Sequence, residues 1–307
     1  MNDCEHIVER FQQQASTSTP SLLMTIFGDV IAPHGGVIWL GSLIKLVAPL
    51  GISQRLVRTS IYRLAKDGWV SGQRIGRRSY YRLTDSGQRS TAQAESRIYY
   101  TPISEWDGEW RMIFANSAGI GAEQRTELKK RLNWLGFGAI ATNVYGHPVV
   151  SMEPVWELLD AMELTGKVVV MRARYFDNIH RPDSKEMVRQ CWKLDTLVKD
   201  YRQFIDRYQP VITGQNLHRQ SAESSFLLRI LLIHHYRRIL LRDPQLPATL
   251  LPKNWVGHSA YGLCRKIYRK TQVAADAHIM DIGECIDGKF PLPDESYFAR
   301  FDGSTEP

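Results

Sequence analysis

The stretch QRLVRTSIYRLAKDGWVSGQRIGRRSYYRL, residues 54–83, decides the fold of the first part of this 307-residue chain. At 100° per residue, a helix from Gln54 to Lys66 separates two faces. One face is apolar or small and carries Leu56, Val57, Ser60, Ile61 and Leu64. The other face is polar and carries Arg55, Arg58, Thr59, Tyr62, Arg63 and Lys66. Ser53 is a suitable N-cap and Gly68 a suitable stop, so the stretch predicts an amphipathic helix of about four turns.

A short hairpin is predicted directly after this helix. Two alternating segments, Trp69-Val70-Ser71 and Tyr80-Tyr81-Arg82-Leu83, flank a loop that is rich in Gly and Arg. The tip of the loop is Gly76-Arg77-Arg78-Ser79. A protruding loop of this composition is suited to contact phosphates or to enter a minor groove.

Two further helices are predicted before Gln54. Apolar and small residues recur at helical spacing over Ser21 to Ile31, which predicts one helix. The segment from Val37 to Leu50 predicts a second apolar helix. The break at Pro49-Leu50-Gly51-Ile52 turns the chain into the helix of residues 54–66. Together these elements predict a winged helix-turn-helix domain over residues 21–84.

The positive charge of the chain is concentrated in the same region. Nine basic residues lie between Gly51 and Arg89 against two acidic ones, an excess that equals the formal net charge of the whole chain, +7. We therefore predict a DNA-binding surface in which Arg55, Arg58 and Thr59 contact base edges, with Tyr62 beside them on the same face. The residues predicted to contact phosphates are Arg63, Lys66, Arg74, Arg77, Arg78 and Arg82. The alternative is a merely solvated basic helix, since helix-turn-helix outlines often match by chance.

The remaining sequence predicts an α+β protein of several domains. Residues 1–20 are polar and predict a flexible tail, and residues 85–105 predict a connector. Strand and helix patterns over residues 106–178 follow the order βαββαβ, which predicts a ferredoxin-like domain. Residues 179–307 predict a mainly helical C-terminal domain. Its segment Phe226 to Ile233 is apolar nearly all round, which suits a helix buried on several sides or shared in a homodimer.

Catalysis and metal binding have little support in the sequence. Small metal-dependent nucleases with the ferredoxin-like fold need a carboxylate after the first strand, where this chain has Ala115-Asn116-Ser117. No catalytic set can be assembled, so we expect a non-enzyme without a metal. His234 and Arg238 are weak candidates for an anion site, although residues at a helix C-terminus also complement the helix dipole.

Composition and cysteine spacing indicate the cellular location of the protein. The chain has no run of 18 apolar residues and no secretory signal at its start, so we expect no membrane association. Its four cysteines lie far apart without a Cys-x-x-Cys pair, which argues against a zinc ribbon and a disulfide framework. A cytoplasmic protein with buried free thiols is expected.

Three blocks, in order, resemble a known family. They are IWLGSLIKLVAPLGISQRLVRTSIYRLAKDGWVSGQRIGRRSYYRLTDSG near the start, NWLGFGAIATNVYGHP in the middle and LRDPQLPATLLPKNWVGHSAY near the end. The chain is similar over most of its length to the PaaX family, repressors of phenylacetic acid catabolism. The resemblance implies a homodimeric transcription factor with no resident cofactor, which phenylacetyl-coenzyme A (phenylacetyl-CoA) releases from its operator DNA. It also implies a central domain similar in fold to small CRISPR-associated nucleases.

From this we expect the acyl-coenzyme A to bind between the middle and C-terminal domains and to change the separation of two DNA-binding heads. Two other functions remain open at this point. One is a metal-dependent nucleic-acid-processing enzyme, which would cleave its substrate. The other is an adaptor protein that uses the basic region as a nonspecific nucleic-acid anchor.

Overall fold

The computed structural model describes residues 3–13, 15–100, 105–116, 119–176, 184–214 and 220–301. Within them the fold mixes helices with small antiparallel sheets, so the predicted α+β class is confirmed. The helices are α1 Asp3–Gln12, α2 Ala15–Ile26, α3 Leu40–Val47, α4 Gln54–Lys66, α5 Asp85–Tyr99, α6 Ala122–Trp134, α7 Glu153–Ala161, α8 Ser184–Cys191, α9 Leu194–Thr213, α10 Ala222–Leu240, α11 Val256–Ile282 and α12 Glu295–Phe298. The strands are β1 Val37–Trp39, β2 Val70–Ile75, β3 Arg78–Leu83, β4 Trp110–Phe114, β5 Gly138–Ala141, β6 Val144–His147, β7 Val169–Ala173, β8 Glu284–Cys285 and β9 Gly288–Lys289.

The chain forms two compact units. The first unit comprises residues 1–101, 202–238 and 258–307, and the second comprises residues 102–201 and 239–257. The predicted C-terminal domain of residues 179–307 is therefore divided between them. The boundary at residues 178/179, residues 101–104 of the predicted connector and Ser117 lie outside the described residues.

The start of the chain differs from the predicted flexible tail. Residues of this segment form α1, in which Cys4, Ile7 and Phe11 are buried. Their spacing places them on one face of the helix, and the Cys4 Sγ donates a hydrogen bond to the Ser224 carbonyl at 3.4 Å. The apolar stripe is short, but packing against α10 is enough to order the helix.

The first unit contains a three-stranded sheet in the order β1-β3-β2. β1 was predicted as the start of a helix over residues 37–50, and that prediction is wrong for its first three residues. Val37 pairs with Arg82 and Trp39 pairs with Tyr80, both antiparallel. Because Val37 and Ile38 are β-branched and β3 offers a free edge, the extended conformation is favoured until α3 begins at Leu40.

A charged cluster lies buried in the core of the first unit. Asp29, in a π-helical turn over Phe27–Ile31, accepts hydrogen bonds at its Oδ2 atom from Arg229 Nε at 3.1 Å and Nη2 at 3.0 Å. The Tyr99 hydroxyl donates to Asp29 Oδ1 at 2.5 Å. Arg300 Nη1 donates to the Asp29 carbonyl oxygen at 3.0 Å. The side chains of Asp29, Arg229 and Arg300 are each 1% exposed.

Two partly exposed carboxylates complete this cluster. Asp276 accepts from Arg229 Nη1 at 2.6 Å, and Glu95 accepts from Arg300 Nη2 at 2.8 Å. The cluster therefore joins the turn after α2 to α5, α10, α11 and the segment after α12. Buried charges are tolerated only when they are paired in this way, so the cluster fixes the arrangement of these elements.

The position of helix α10 explains why its sequence is apolar nearly all round. Every residue from Phe226 to Ile233 is buried, including Arg229 in the charged cluster. Of the two readings of this segment, burial on several sides is confirmed. The apolar pattern consequently gives no separate support for a shared subunit interface.

The second unit contains a four-stranded antiparallel sheet in the order β5-β6-β4-β7, with the elements following one another as strand, helix, strand, strand, helix, strand. Leu128 and Leu132 of α6, with Val155 and Leu159 of α7, pack against Ile113 of β4 in one apolar core. The predicted bounds of α6, Ala122 to Trp134, are confirmed.

The middle and final sequence blocks pack together in the second unit. His147 Nε2 donates to the Pro244 carbonyl at 2.9 Å, while its Nδ1 accepts from the backbone N–H groups of Val149 and Val150. Gly136 lies beside them with φ +96°, a conformation that favours glycine. The Trp192 indole donates to the Gly136 carbonyl at 2.8 Å. These glycine and histidine positions therefore serve packing within this unit.

Candidate nucleic-acid interface

Helix α4 has the predicted bounds and the predicted two faces. Val57, Ser60, Ile61 and Leu64 are buried. All residues of the opposite face are exposed, and we call them the basic face: Arg55, Arg58, Thr59, Tyr62, Arg63 and Lys66. The Ser53 side chain accepts a hydrogen bond from the Leu56 N–H at 3.3 Å, which confirms the N-cap.

Strands β2 and β3 form the hairpin that follows the basic face. They are longer than predicted, and their register from Val70↔Leu83 to Ile75↔Arg78 leaves Gly76-Arg77 as a two-residue loop. Gly76 has φ +59°, which glycine adopts without strain at the first position of such a loop. Arg77 is therefore held at the exposed tip.

Most of the predicted contact residues are available for a ligand. Arg55, Arg58, Arg63, Lys66, Arg77 and Arg82 are exposed and make no hydrogen bond or ion pair with any residue that the structure describes. Thr59 donates its hydroxyl to the Arg55 carbonyl at 3.0 Å, so its oxygen remains only as an acceptor. Arg74 Nε donates to the Gly76 carbonyl at 3.1 Å and braces the turn.

Arg78 is paired within the described part of the protein, whereas Arg77 is not. Its guanidinium forms an ion pair with Glu284 of β8 at 2.7 Å and lies 4.3 Å from the centroid of the Trp39 ring. The hydrogen bond to Glu284 is the main reason that the pKa of Arg78 is raised. Since 206 residues separate Arg78 from Glu284, no local pattern could reveal this pair. The two tip arginines therefore differ in their surroundings, because Arg78 is already paired and Arg77 has no partner among the described residues.

We predict different effects for the two tip arginines. Arg77→Ala removes an unpaired cation, so it should weaken binding to all duplexes and flatten the salt dependence by about one phosphate contact. Arg78→Ala should have a smaller effect, because Glu284 already neutralises this guanidinium. Band-shift titrations at several salt concentrations measure both effects. A larger uniform loss for Arg78→Ala than for Arg77→Ala would contradict the assignment, and Glu284→Gln tests whether the pair restrains Arg78.

Helix α5 is fastened to the base of the hairpin. Thr84 caps α5 by accepting from the Gly87 N–H at 3.0 Å and donates its hydroxyl to the Gly68 carbonyl at 2.6 Å. Gly87 is required here because a Cβ atom would lie 2.3 Å from the Trp69 carbonyl oxygen. The end of α4, the hairpin and α5 are thus mechanically connected.

The two weak candidates for an anion site, His234 and Arg238, differ in exposure. His234 is fully buried, its Nδ1 lies 3.3 Å from the Thr25 hydroxyl, and burial lowers its pKa to about 3. Arg238 is exposed one turn later. The structure therefore does not bring the buried, neutral imidazole of His234 and the exposed guanidinium of Arg238 together as a site for an anion from solvent.

The described residues contain neither a metal-binding group nor a membrane-spanning helix. Among the described residues, no group of three or more His, Cys, Asp or Glu side chains is arranged to hold a metal ion. In the same part of the chain, no helix combines the length and the apolar character needed to cross a membrane.

Comparison with known proteins gives matches along nearly the whole chain. Family models match as PaaX-like protein over residues 18–87, PaaX protein central Cas2-like domain over 104–188 and PaaX-like protein C-terminal domain over 192–281. Among solved structures, the uncharacterized protein Rv0674 from Mycobacterium tuberculosis is 22% identical with a TM-score of 0.48, covering 77% of this chain and 89% of that one. The transcriptional repressor PaaX of Escherichia coli (strain K12) is 37% identical over 302 residues, covering 96% of this chain and 95% of the relative. This chain therefore belongs to the PaaX family.

Proposed function

We propose that this protein is a sequence-specific DNA-binding transcriptional repressor of phenylacetic acid catabolic genes. The single observation that carries the proposal is the set of exposed, unpaired cations on α4 and the neighbouring hairpin. The name of its Escherichia coli relative, a transcriptional repressor, supports the same conclusion. A regulator of this kind acts by occupying DNA, and we propose no enzymatic activity.

In this proposal the first unit reads DNA as a winged helix-turn-helix. α3 and α4 are the two helices of the motif, joined through a 3₁₀ turn over Ala48–Leu50 and Gly51, whose φ of +74° favours glycine. The β2–β3 hairpin is the wing. The central domain is proposed to be ferredoxin-like, on the support of its strand order and helix placement.

The basic face divides by position along α4. Arg55, Arg58 and Thr59 lie in its first half and are proposed to contact base edges in the major groove. An arginine fork matches the two acceptors of guanine, whereas the Thr59 oxygen can accept from an amino group. Arg63, Lys66, Arg82 and the tip residue Arg77 are proposed to contact phosphates, which position the helix without selecting sequence.

We further propose that the protein acts as a homodimer on a two-fold operator. Two copies would place two α4 helices in successive major grooves, as dimeric helix-turn-helix proteins do. Footprinting on the genomic neighbourhood of the gene tests both features, because it should protect two related half-sites about one helical turn apart. Equal binding to unrelated duplexes at physiological salt would instead favour a nonspecific anchor.

Phenylacetyl-CoA is proposed as the effector that releases the repressor. We predict that a band-shift series releases operator DNA with phenylacetyl-CoA but not with free phenylacetate or coenzyme A at the same concentration. The reason is that release requires a difference in affinity between the DNA-bound and free states, which needs the whole thioester. Release by free phenylacetate alone would contradict this effector and indicate a small carboxylate site.

A further inference from the structure

A cleft in the first unit opens between α2, α5 and α10. It is narrow: the space that the centre of a water-sized sphere can occupy is about 20 Å³, and the wider volume of about 370 Å³ includes open solvent. Its apolar lining includes Met24, Ile98 and Ile233, and Trp69 lies at its edge before β2. The charged cluster forms one wall through Asp29 and Glu95. The cleft lies wholly within the first unit, next to the base of the hairpin.

The charged groups that line the cleft differ in whether they already have hydrogen-bond partners within the protein. Asp29 and Glu95 are both bound by arginines of the charged cluster. Arg237 is half-buried and makes no hydrogen bond or ion pair with any described residue. Burial lowers its pKa, which reflects the cost of holding a guanidinium away from water. Arg237 is therefore the unpaired charged group of the lining and offers only hydrogen-bond donors.

A lining of this kind selects a particular ligand chemistry. Apolar walls favour an apolar group, and an unsatisfied donor favours a ligand that brings an acceptor oxygen. We propose that this cleft, rather than the expected position between the middle and C-terminal domains, is the effector site. It takes the acyl end of an aromatic acyl thioester, whose carbonyl oxygen accepts from Arg237. This inference rests on the proposed function, since that function supplies the thioester.

The packing around the cleft links its occupation to the DNA-binding surface. A Cβ atom on Gly28 would lie only 2.9 Å from the Thr91 methyl group, so the turn after α2 and α5 already meet without spare room. An acyl group inserted there displaces α5 from α2. Because Thr84 ties the start of α5 to the Gly68 carbonyl, that displacement moves the end of α4 and the hairpin. The ligand and DNA thus favour different positions of α5, which is what release requires.

The test uses the full-length protein, calorimetric titration with phenylacetyl-CoA, and operator band shifts without effector. Arg237→Met keeps an unbranched side chain but removes the donors, so thioester binding should weaken about 10- to 100-fold. Ser90 lines the cleft, so Ser90→Trp places a large side chain in it. This substitution should weaken thioester binding at least as much. Arg238→Met is the matched control on the adjacent exposed position, and its affinity should stay within about twofold of the parent.

The outcomes separate this inference from the proposed function. Parent-like thioester affinity in Arg237→Met or Ser90→Trp overturns the cleft while leaving a repressor that responds to the thioester. Equal losses in Arg237→Met and Arg238→Met place the ligand on the outer side of α10 and also overturn it. Failure of the parent to bind phenylacetyl-CoA removes the effector and the cleft together, whereas failure of the parent to select operator DNA removes the proposed function.

Discussion

Arg229→Ala is expected to lower the free energy of unfolding by about 3 to 5 kcal/mol, the usual cost of leaving a buried charge without its partner. Arg229 donates two hydrogen bonds to the Asp29 carboxylate, one to the Asp29 carbonyl at 3.5 Å and one to Asp276, and its side chain is 1% exposed. After the substitution, the Asp29 carboxylate keeps the hydroxyl of Tyr99 and more distant contacts with Tyr268 at 3.4 Å and Arg300 at 3.5 Å. Urea denaturation followed by circular dichroism measures the change.

The controls for this substitution lie on the same helix and in the same pair. Arg238→Ala removes an exposed arginine of α10 and should change stability by less than about 1 kcal/mol. Combining Arg229→Met with Asp29→Asn removes both charges, so the double variant should recover part of the loss. If Arg229→Ala were as stable as Arg238→Ala, the charged cluster would not be a determinant of stability.

Arg58→Ala is expected to weaken operator binding by roughly 1 to 3 kcal/mol, which is about 5- to 150-fold. Arg58 lies in the first half of α4, is exposed and has no partner among the described residues. If it makes a bidentate contact with guanine, the loss should be large for the operator and small for unrelated duplexes. Titrations of both kinds of DNA at one salt concentration measure the difference.

Arg89→Ala provides the matched control for the loss of one positive charge. Arg89 is an exposed arginine on α5, outside the basic face, and we assign it no contact with DNA. Its replacement should reduce affinity only slightly and equally for every sequence. Operator affinity that is unchanged in Arg58→Ala, or reduced equally in both variants, would show that α4 does not read bases.

The elements with strong local signals were predictable from sequence. α4 combines an unbroken helical period with an N-cap at Ser53 and a stop at Gly68, and its bounds are as predicted. The apolar spacing of Cys4, Ile7 and Phe11 in α1 was present but was outweighed by the polar composition around it. β1 could not be separated from a helix, because a three-residue apolar segment has no period of its own.

Long-range contacts explain what the sequence could not indicate about the site. The cations of the basic face follow from helical spacing, whereas the engagement of Arg78 depends on Glu284, which is 206 residues away. Asp29 and Arg300 are 271 residues apart, so neither could be identified as a partner of the other. The cleft beside Arg237 likewise depends on how α2, α5 and α10 pack.

The closing of the charged cluster by Arg300 has a genetic consequence. The first hundred residues carry the helix and hairpin proposed to meet DNA, yet their core is completed by Arg300, which follows Asp29 by 271 residues. During translation, that core cannot assemble until residue 300 has left the ribosome. A nonsense codon shortly before position 300 should therefore behave as a null allele, with constitutive expression of the target genes, rather than as an uninducible repressor.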